Sequence, residues 1–244
     1  MPNILCTGAA SGLGLAFIKA YSANPSNNII AVDRAPVPVE PSNHDNVKTY
    51  TLDITSPTDV QSFAESFGDM PLDLIVHSAG IRGLVPAVEE AHTEDVARAE
   101  TLEAMDMETM MRTFLINTAG TFEVIRALLP NIRRVASQRN AMPRVIIMSS
   151  RMGSISYNST GGGYAYRASK AALNAIVKSF SLDVREATFI MVHPGRVETG
   201  LVKIKEEGAI TAEESVRDML KLIDGLTKDD SGRFMDRWGK DIGW

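Results

Sequence analysis

The first 23 residues constrain the fold more than any other part of the chain. An apolar run over residues 3–6 precedes the turn Thr7-Gly8-Ala9-Ala10-Ser11-Gly12-Leu13-Gly14, and residues 15–23 carry an apolar pattern with helical spacing. A strand, a glycine turn and a helix in this order let the backbone approach a pyrophosphate at the positive end of the helix dipole. The spacing Gly8-x-x-x-Gly12-x-Gly14 differs from G-x-G-x-x-G, so a glycine-rich turn without a ligand is the alternative interpretation.

Further strands are predicted by five apolar runs, at 28–32, 47–52, 72–76, 144–148 and 189–192. Helical patterns separate them, the longest over 107–135 with Pro130 near a predicted kink or break. Strands that alternate with helices favour a parallel sheet covered on both faces. The prediction is an α/β chain with a doubly wound parallel sheet and helices on both faces, a single-domain Rossmann fold over residues 1–244.

Composition excludes several classes of protein. The 244 residues are 44% hydrophobic and 23% charged, which is enough to bury a sizeable core, and no linker divides them. The net charge of −5 and the dispersed Lys and Arg residues argue against nucleic-acid binding. No apolar run is long enough for a membrane span, and the first strand begins too early to follow a signal peptide, so we expect a cytoplasmic protein. Cys6 is expected to be a small core residue, and no metal site is predicted.

Two acidic residues follow strands in the first half of the chain. Asp33 comes about twenty residues after the glycine turn, where a carboxylate binds the ribose hydroxyls of a dinucleotide. A carboxylate there would repel the 2′-phosphate of NADP, so NAD(H) is favoured, although Arg34 could turn toward that phosphate and makes NADP(H) possible. Asp53 either caps the next turn or meets the adenine edge.

The fourth strand leads to small residues and then to an acidic segment. Ala79 and Gly80 would let the backbone pass beneath a cofactor. Residues 81–105 are predicted to form a loop and a partly exposed helix near the site, and a solvated surface insertion is the alternative.

Tyr166 and Lys170 are the strongest candidates for chemistry. They lie four residues apart, on one helical face, where an ammonium favours phenolate over phenol and lowers the phenol pKa toward physiological pH. The same spacing also arises by chance, as a half-buried aromatic beside a solvated lysine.

Other polar residues are candidates for the site, and Asn117 and His193 each have a second interpretation. Ser149 and Ser150 follow the strand 144–148, at the carboxyl end of the sheet, where a serine hydroxyl can hold a substrate oxygen. Asn117 either satisfies its own hydrogen bonds within a helix or holds a water against the lysine. His193 is expected to be a rim or core residue rather than a general base.

Taken in order, Thr7-Gly8-x-x-x-Gly12-x-Gly14, Asn117, Ser150, Tyr166-x-x-x-Lys170 and Pro194-Gly195-x-x-x-Thr199 resemble the short-chain dehydrogenase/reductase family over nearly the whole chain. Residues 150–155, the triple glycine at 161–163, residues 164–174, residues 231–234 and Trp244 resemble its subgroup of C-factor and Sniffer-type carbonyl reductases.

The resemblance implies hydride transfer between a nicotinamide ring and a carbonyl or alcohol carbon. Tyr166 would donate or accept the proton, Ser150 would position the substrate oxygen, and Lys170 would lower the pKa of Tyr166 while binding the nicotinamide ribose. Asn117 would hold a water behind Lys170. The implied cofactor contacts are Thr7, Gly8, Ser11, Gly12, Leu13, Gly14, Asp33, Arg34, Asp53, Ala79, Gly80, Tyr166, Lys170, Pro194, Gly195, Val197 and Thr199.

The chain departs from the family pattern at two places. Ser78 replaces a common asparagine, which leaves one support of the central strand in doubt, and Ser150 lies sixteen residues before Tyr166, so the loop between them must bulge. The cofactor half would span about 1–105 and the catalytic half about 106–244. Family precedent also implies a homodimer or homotetramer.

Substrate class and rival functions complete the expectations. A helical lid over 198–226 would line the pocket with Leu201, Val202 and Ile204, which favours an apolar carbonyl or alcohol substrate. Surface placement is the default expectation for Arg82, Arg151, Met152 and Arg196, and contact with an acidic or aromatic group is the alternative. An epimerase or dehydratase of the extended branch would need a further substrate domain. The other alternative is a nucleotide-binding signalling or regulatory protein of the C-factor type.

Overall fold

The computed structural model describes residues 1–38, 45–202 and 207–244. Seven strands within these residues form one parallel sheet with the order β3-β2-β1-β4-β5-β6-β7. The first four strands are β1 (Asn3–Thr7), β2 (Asn28–Asp33), β3 (Val47–Thr51) and β4 (Leu74–His77). The last three are β5 (Arg144–Met148), β6 (Thr188–His193) and β7 (Phe234–Asp236). The order runs outward from β1 in both directions, which is the doubly wound arrangement.

Helices connect the strands over both faces of the sheet. They are α1 (Gly12–Ser22), α2 (Pro57–Glu65), α3 (Pro86–Ala91), α4 (Met107–Phe114), α5 (Thr121–Arg139), α6 (Tyr164–Asp183) and α7 (Ala212–Gly225). A π-helical turn, Leu115–Gly120, joins α4 to α5. None of the helices among the described residues is both long enough and apolar enough to cross a membrane.

Two apolar layers sandwich the sheet, because successive strand residues point to opposite faces. In β1, Leu5 packs with side chains of α2, α5 and α6, whereas Ile4 and Cys6 pack with those of α1 and α7. Cys6 is fully buried, as expected for a small core residue. The single-domain Rossmann prediction is therefore confirmed.

The sequence located six of these strands within two residues at each end, because buried parallel strands are continuous apolar runs. It missed β7, which has three residues and is too short to show a period. Of the kink or break expected near Pro130, the break is wrong, because α5 continues through that residue, and the irregular turn is Leu115–Gly120. A kink at Pro130 stays a prediction. The boundary between a cofactor half and a catalytic half stays a prediction.

Candidate functional site

A cavity of about 500 Å³ opens at the carboxyl edge of the sheet. Residues that follow β1, β2, β4, β5 and β6 all contribute to its wall. This edge, next to the point where the strand order reverses, is where open α/β sheets bind ligands.

The glycine turn after β1 forms one wall of the cavity. A Cβ at Gly14 would overlap the carbonyl oxygen of Gly8, so only glycine lets α1 begin so close to the strand. Gly8 has a φ of +69°, and a Cβ on it would lie 2.8 Å from the Ala79 nitrogen. Ser11 and Gly12, at the start of α1, face the cavity with the free N–H groups of the helix. The turn therefore has the shape and polarity that a pyrophosphate requires.

Asp33 ties the end of β2 to this turn. Its Oδ2 accepts a hydrogen bond from the backbone N–H of Ala10 at 3.0 Å, and its Oδ1 accepts one from Ala35 at 2.9 Å. Arg34 lines the same part of the cavity. The Asp33 carboxylate and the Arg34 guanidinium, the two groups expected to discriminate at the 2′ position of a dinucleotide, thus both line the cavity.

Asp53 caps its own turn and also lines the cavity. Its Oδ1 accepts hydrogen bonds from the Thr55 hydroxyl at 2.7 Å and the Thr55 N–H at 2.9 Å. These bonds hold the pKa of the Asp53 carboxyl below its usual range. The capping interpretation therefore holds, and the contact with adenine stays a prediction.

A series of buried hydrogen bonds supports the end of β4, next to Ser78, the position where the family pattern has asparagine. Thr7 Oγ1 lies 3.0 Å from His77 Nδ1, and His77 Nε2 lies 2.9 Å from Thr121 Oγ1. The Thr7 hydroxyl also accepts from the N–H groups of Ser78 and Ala79 at 3.2 Å. Burial, assisted by the charge of Lys170, lowers the pKa of His77 to about 3, so this imidazole is neutral. Sequence reasoning missed His77, and its position at the end of an apolar strand was the available signal.

Tyr166 and Lys170 lie on the buried face of α6 and both line the cavity. The Lys170 Nζ donates to the carbonyl oxygen of Met148 at 2.9 Å and lies 5.7 Å from the centroid of the Tyr166 ring. Burial lowers the pKa of Lys170 to about 8, so at neutral pH it is still a cation. A lysine solvated at the surface, the chance alternative, is therefore excluded.

Asn117 lies in the π-helical turn, a distortion that is frequent at functional sites. Its Nδ2 donates to the Ile81 carbonyl at 2.9 Å and to Ser169 Oγ at 3.0 Å, and its Oδ1 accepts from the Ile81 N–H at 2.8 Å. The side chain thus satisfies its own hydrogen bonds and fixes the loop after Gly80. A water held against Lys170 stays a prediction.

Ser150 begins a short 3₁₀ turn and is buried. Its hydroxyl accepts from the N–H of Met152 at 3.2 Å. The preceding Ser149 lines the cavity and donates to Asn174 Oδ1 at 2.6 Å. The sequence placed both serines at this end of the strand without telling which of them faces inward, and the resemblance selected Ser150, whereas Ser149 is the one in the wall.

The segment after β6 closes the cavity beside the glycine turn. A Cβ on Gly12 would lie 3.0 Å from Thr199 Cβ, so Thr199 packs directly against the turn. Leu201 lines the cavity, and Val202 packs beside a small apolar cluster that includes Leu84. Ile204 lies outside the described residues. The helical part of the predicted lid is α7, which packs on the core of the sheet.

His193 ends β6 at the rim of the sheet. Burial is the main cause that lowers its pKa to about 4, and its Nδ1 has no hydrogen-bond partner among the described residues. This placement matches the expected rim or core residue.

Most of the predicted site residues line the cavity, and the others lie outside its wall. The wall contains Thr7, Gly8, Ser11, Gly12, Leu13, Asp33, Arg34, Asp53, Ala79, Gly80, Tyr166, Lys170, Pro194 and Thr199. Those outside the wall are Gly14, Asn117, Ser150, Gly195 and Val197. Across the described ranges, no three or more His, Cys, Asp or Glu side chains are grouped to hold a metal ion.

Comparison with known proteins identifies the family. The family model for short chain dehydrogenases matches residues 2–209. The chain belongs to this family. The C-signal protein of Myxococcus xanthus is 38% identical over 187 residues, which cover 76% of this chain and all of that protein. The 1-hydroxy-2-glutathionyl-2-methyl-3-butene dehydrogenase of Rhodococcus sp. (strain AD45) is 28% identical, and the match covers both chains completely.

Solved structures agree with this assignment. The NADPH-bound carbonyl reductase from chicken fatty liver is 29% identical, with a TM-score of 0.84 and coverage of 100% of this chain and 99% of that chain. The carbonyl reductase Sniffer of D. melanogaster is 26% identical, with a TM-score of 0.86 over the whole of both chains. The resemblance to the C-factor and Sniffer type is confirmed, and the chain is an NAD(P)-dependent dehydrogenase or reductase.

Proposed function

We propose that this short chain dehydrogenase interconverts a carbonyl compound and the corresponding alcohol, with Tyr166 as the general acid and base. The observation that carries the proposal is the Tyr166–Lys170 pair, buried on one helical face at the wall of the cofactor cavity. When bound, the nicotinamide cofactor supplies or accepts the hydride.

The residues of the chain hold the proton and the substrate oxygen. In the reducing direction the Tyr166 hydroxyl gives its proton to the oxygen that becomes the alcohol, and in the oxidising direction it takes that proton back. The Lys170 ammonium, fixed by the Met148 carbonyl, favours the phenolate and binds the nicotinamide ribose. Ser150, next to the wall residue Ser149, would position the substrate oxygen. Asn117 fixes the loop beside Lys170 and would hold a water behind that lysine.

The cofactor would lie along the wall formed by the glycine turn and the segment 194–201. Gly8, Gly12 and the start of α1 would bind the pyrophosphate, and Ala79 and Gly80 would lie beneath the adenosine side. Thr199 and the backbone near Val197 would hold the carboxamide and fix the face of the ring that meets the substrate.

The choice between NAD(H) and NADP(H) depends on Asp33 and Arg34. The charge of the Asp33 carboxylate favours NAD(H). The similar chicken carbonyl reductase binds NADPH, and this similarity supports NADP(H) for this chain. In this chain Arg34 is the cavity residue suited to a 2′-phosphate. We propose that these two side chains oppose each other in setting the preference.

Single substitutions separate the two effects. We expect Asp33→Ala to tighten NADPH binding relative to NADH by about tenfold, since a repulsive charge is removed, and Arg34→Ala to shift the ratio the other way. Titrations with both cofactors, followed by fluorescence, measure the ratio. An unchanged ratio in Asp33→Ala would refute the role of Asp33, and an unchanged ratio in Arg34→Ala would refute that of Arg34.

Turnover with Tyr166→Phe tests the reaction itself. Oxidation of NADH and NADPH is followed against a panel of aldehydes, ketones and quinones, with alcohols for the reverse direction. We expect kcat to fall at least about 100-fold in Tyr166→Phe, because the acid is lost, while cofactor affinity is retained. Tyr164→Phe, two residues earlier and exposed, is the matched control. Equal turnover by the wild type and Tyr166→Phe would contradict the proposal.

The signalling or regulatory alternative is not favoured. Nucleotide binding alone does not need a buried tyrosine beside a buried cation at the cavity wall. The apolar contribution of Leu201 and Leu115 to the wall supports an apolar carbonyl or alcohol as the substrate.

We also propose that the chain forms a homodimer or homotetramer. Met107, Met111 and Phe114 on α4 are exposed at a spacing that places them close together on the helix. Light scattering on the purified protein gives the mass, and a monomer at micromolar concentration would contradict this.

A further inference from the structure

Arg82, expected at the surface, lies against the reacting tyrosine. Its Cζ lies 5.1 Å from the centroid of the Tyr166 ring, and Lys170 Nζ lies 5.7 Å from the same centroid. Arg82 also lines the cavity, and its side chain is 18% exposed. Two cations therefore contact one phenol ring, one from its own helix and one from the loop after β4.

Glu100 fixes the position of Arg82. The Arg82 Nε donates to Oε2 of Glu100 at 2.9 Å, and Nη2 donates to Oε1 at 2.8 Å, a bidentate pair with little solvent access. The backbone carbonyl of Glu100 also accepts from the N–H of Gly163 at 2.8 Å, immediately before α6 begins. The residue that orients Arg82 thus also fixes the start of the helix that carries Tyr166.

We propose that Arg82 is a positioning residue for the reaction, which Glu100 clamps so that the guanidinium stabilises the phenolate form of Tyr166. The inference rests on the proposed function, in which Tyr166 exchanges a proton. A cation over an aromatic face is attracted by the ring, and the attraction grows when the ring oxygen is ionised. Tyr166 is 8% exposed, so water screens this interaction weakly.

Glu100 carries the charge opposite to that of Arg82, so removing each partner in turn tests the electrostatic role of the pair. Without Arg82 the carboxylate of Glu100 would oppose the phenolate, and without Glu100 the cation would act unneutralised. The two single variants are therefore expected to move the titration of Tyr166 in opposite directions. A merely structural role for the pair would move activity or stability without this reversal.

Other titratable groups on the elements around Tyr166 are unchanged in these variants. His77 is neutral above about pH 3, and Arg151 has its Cζ 5.4 Å from the ring centroid of Tyr157. The charged and titratable groups on these elements that both variants keep include Lys170 and Arg167 on α6, Glu108 and Arg112 on α4, Arg98 beside Glu100, Arg151 after β5, His77 on β4 and His193 on β6.

The titration of Tyr166 is measured directly from tyrosinate absorbance. Each protein is compared with the same protein carrying Tyr166→Phe, so the difference isolates one of the five tyrosines. We expect Arg82→Met to raise the midpoint by about one pH unit and Glu100→Gln to lower it. Arg82→Lys, which keeps the charge, recovers part of the shift.

Two further proteins keep the test decisive. The double variant Arg82→Met/Glu100→Gln leaves no unpaired buried charge, and we expect its midpoint to lie between those of the single variants. Arg126→Met removes a cation whose Cζ lies 5.5 Å from the Phe122 ring centroid, away from Tyr166, and is expected to leave the midpoint unchanged.

Shifts of equal sign in the two single variants, or no shift in either, would overturn the proposal. The titration uses no substrate, so its result is independent of turnover. If opposite shifts occur but Tyr166→Phe turns over normally, the proposed function fails and the electrostatic role of Arg82 stands. If turnover depends on Tyr166 but the midpoint does not depend on Arg82, only this inference fails.

Discussion

At the scale of single residues, His77 shows how one buried polar group supports the site. It is 1% exposed, and each of its ring nitrogens is paired with a threonine hydroxyl, Thr7 on β1 and Thr121 on α5. These pairs compensate the loss of hydration of both nitrogens. This series of hydrogen bonds joins β1, which precedes the glycine turn, to α5, which follows Asn117.

His77 makes stability depend on pH. Its pKa is about 3 in the folded protein against 6.5 ordinarily, so the unfolded chain binds a proton below pH 6.5 that the folded protein does not. Stability from this group is complete above pH 6.5 and falls as the pH falls toward 3. We expect a loss of about 2 kcal/mol in the free energy of unfolding between pH 6.5 and about pH 5, at roughly 1.4 kcal/mol per unit.

Urea unfolding at several pH values checks this expectation. The reference is His77→Gln, which keeps a donor and an acceptor but does not titrate. The wild type should lose stability more steeply than His77→Gln over this range, since all other groups are shared. Parallel curves for the two proteins would show that folding does not lower the pKa of His77.

At the scale of elements, the strand, turn and helix at the start of the chain depend on Gly14. A methyl group there would overlap the Gly8 carbonyl, so α1 would have to move from β1. We expect Gly14→Ala to lower the free energy of unfolding by about 3 kcal/mol and to weaken cofactor binding. Urea unfolding and cofactor titration measure the two effects.

Gly225→Ala is the matched control. Apart from its chain neighbours and its own helix backbone, no atom of the described residues lies within 4 Å of a Cβ built on Gly225, which ends α7. We expect it to leave stability unchanged or to raise it by up to about 1 kcal/mol, since alanine restricts the unfolded chain. Equal losses in both variants would contradict the steric argument for Gly14.

Elements also show where local sequence stops being informative. Buried strands such as Arg144–Met148 are readable because every residue is apolar or flanks an apolar run. The turn Leu115–Gly120 is not readable, because its hydrogen bonding is set by contacts such as the Thr118 hydroxyl with the Ser169 carbonyl. Those residues are far apart in sequence, so no local pattern records the contact.

At the scale of the whole molecule, the cavity is built from segments on both sides of the point where the strand order reverses, between β1 and β4. The glycine turn after β1 meets Thr199 after β6, so a bound dinucleotide would contact segments that are distant along the chain. Binding energy then adds to the stability of the folded state alone.

We expect the cofactor to raise the melting temperature. At a concentration of about 100 Kd the stabilisation is about 2.7 kcal/mol, or roughly 5–10 °C for a domain of this size. Thermal unfolding with NADH and with NADPH measures the shift. We expect a smaller shift in Thr199→Ala at the same cofactor concentration and an unchanged one in the exposed Thr160→Ala. A shift that is equal in all three proteins would contradict the role of Thr199.

The sequence by itself determined the sheet class, the glycine turn and the Tyr166–Lys170 pair, because each depends on residues that are close along the chain. Tertiary structure decided that Ser149 lines the cavity and that the Asn117 amide donates hydrogen bonds to Ile81 and Ser169. It also decided that the Arg82 guanidinium lies over the ring of Tyr166. These outcomes depend on loop paths and side-chain packing between distant segments. Long-range contacts of that kind have no local periodicity, and only the folded chain brings their partners together.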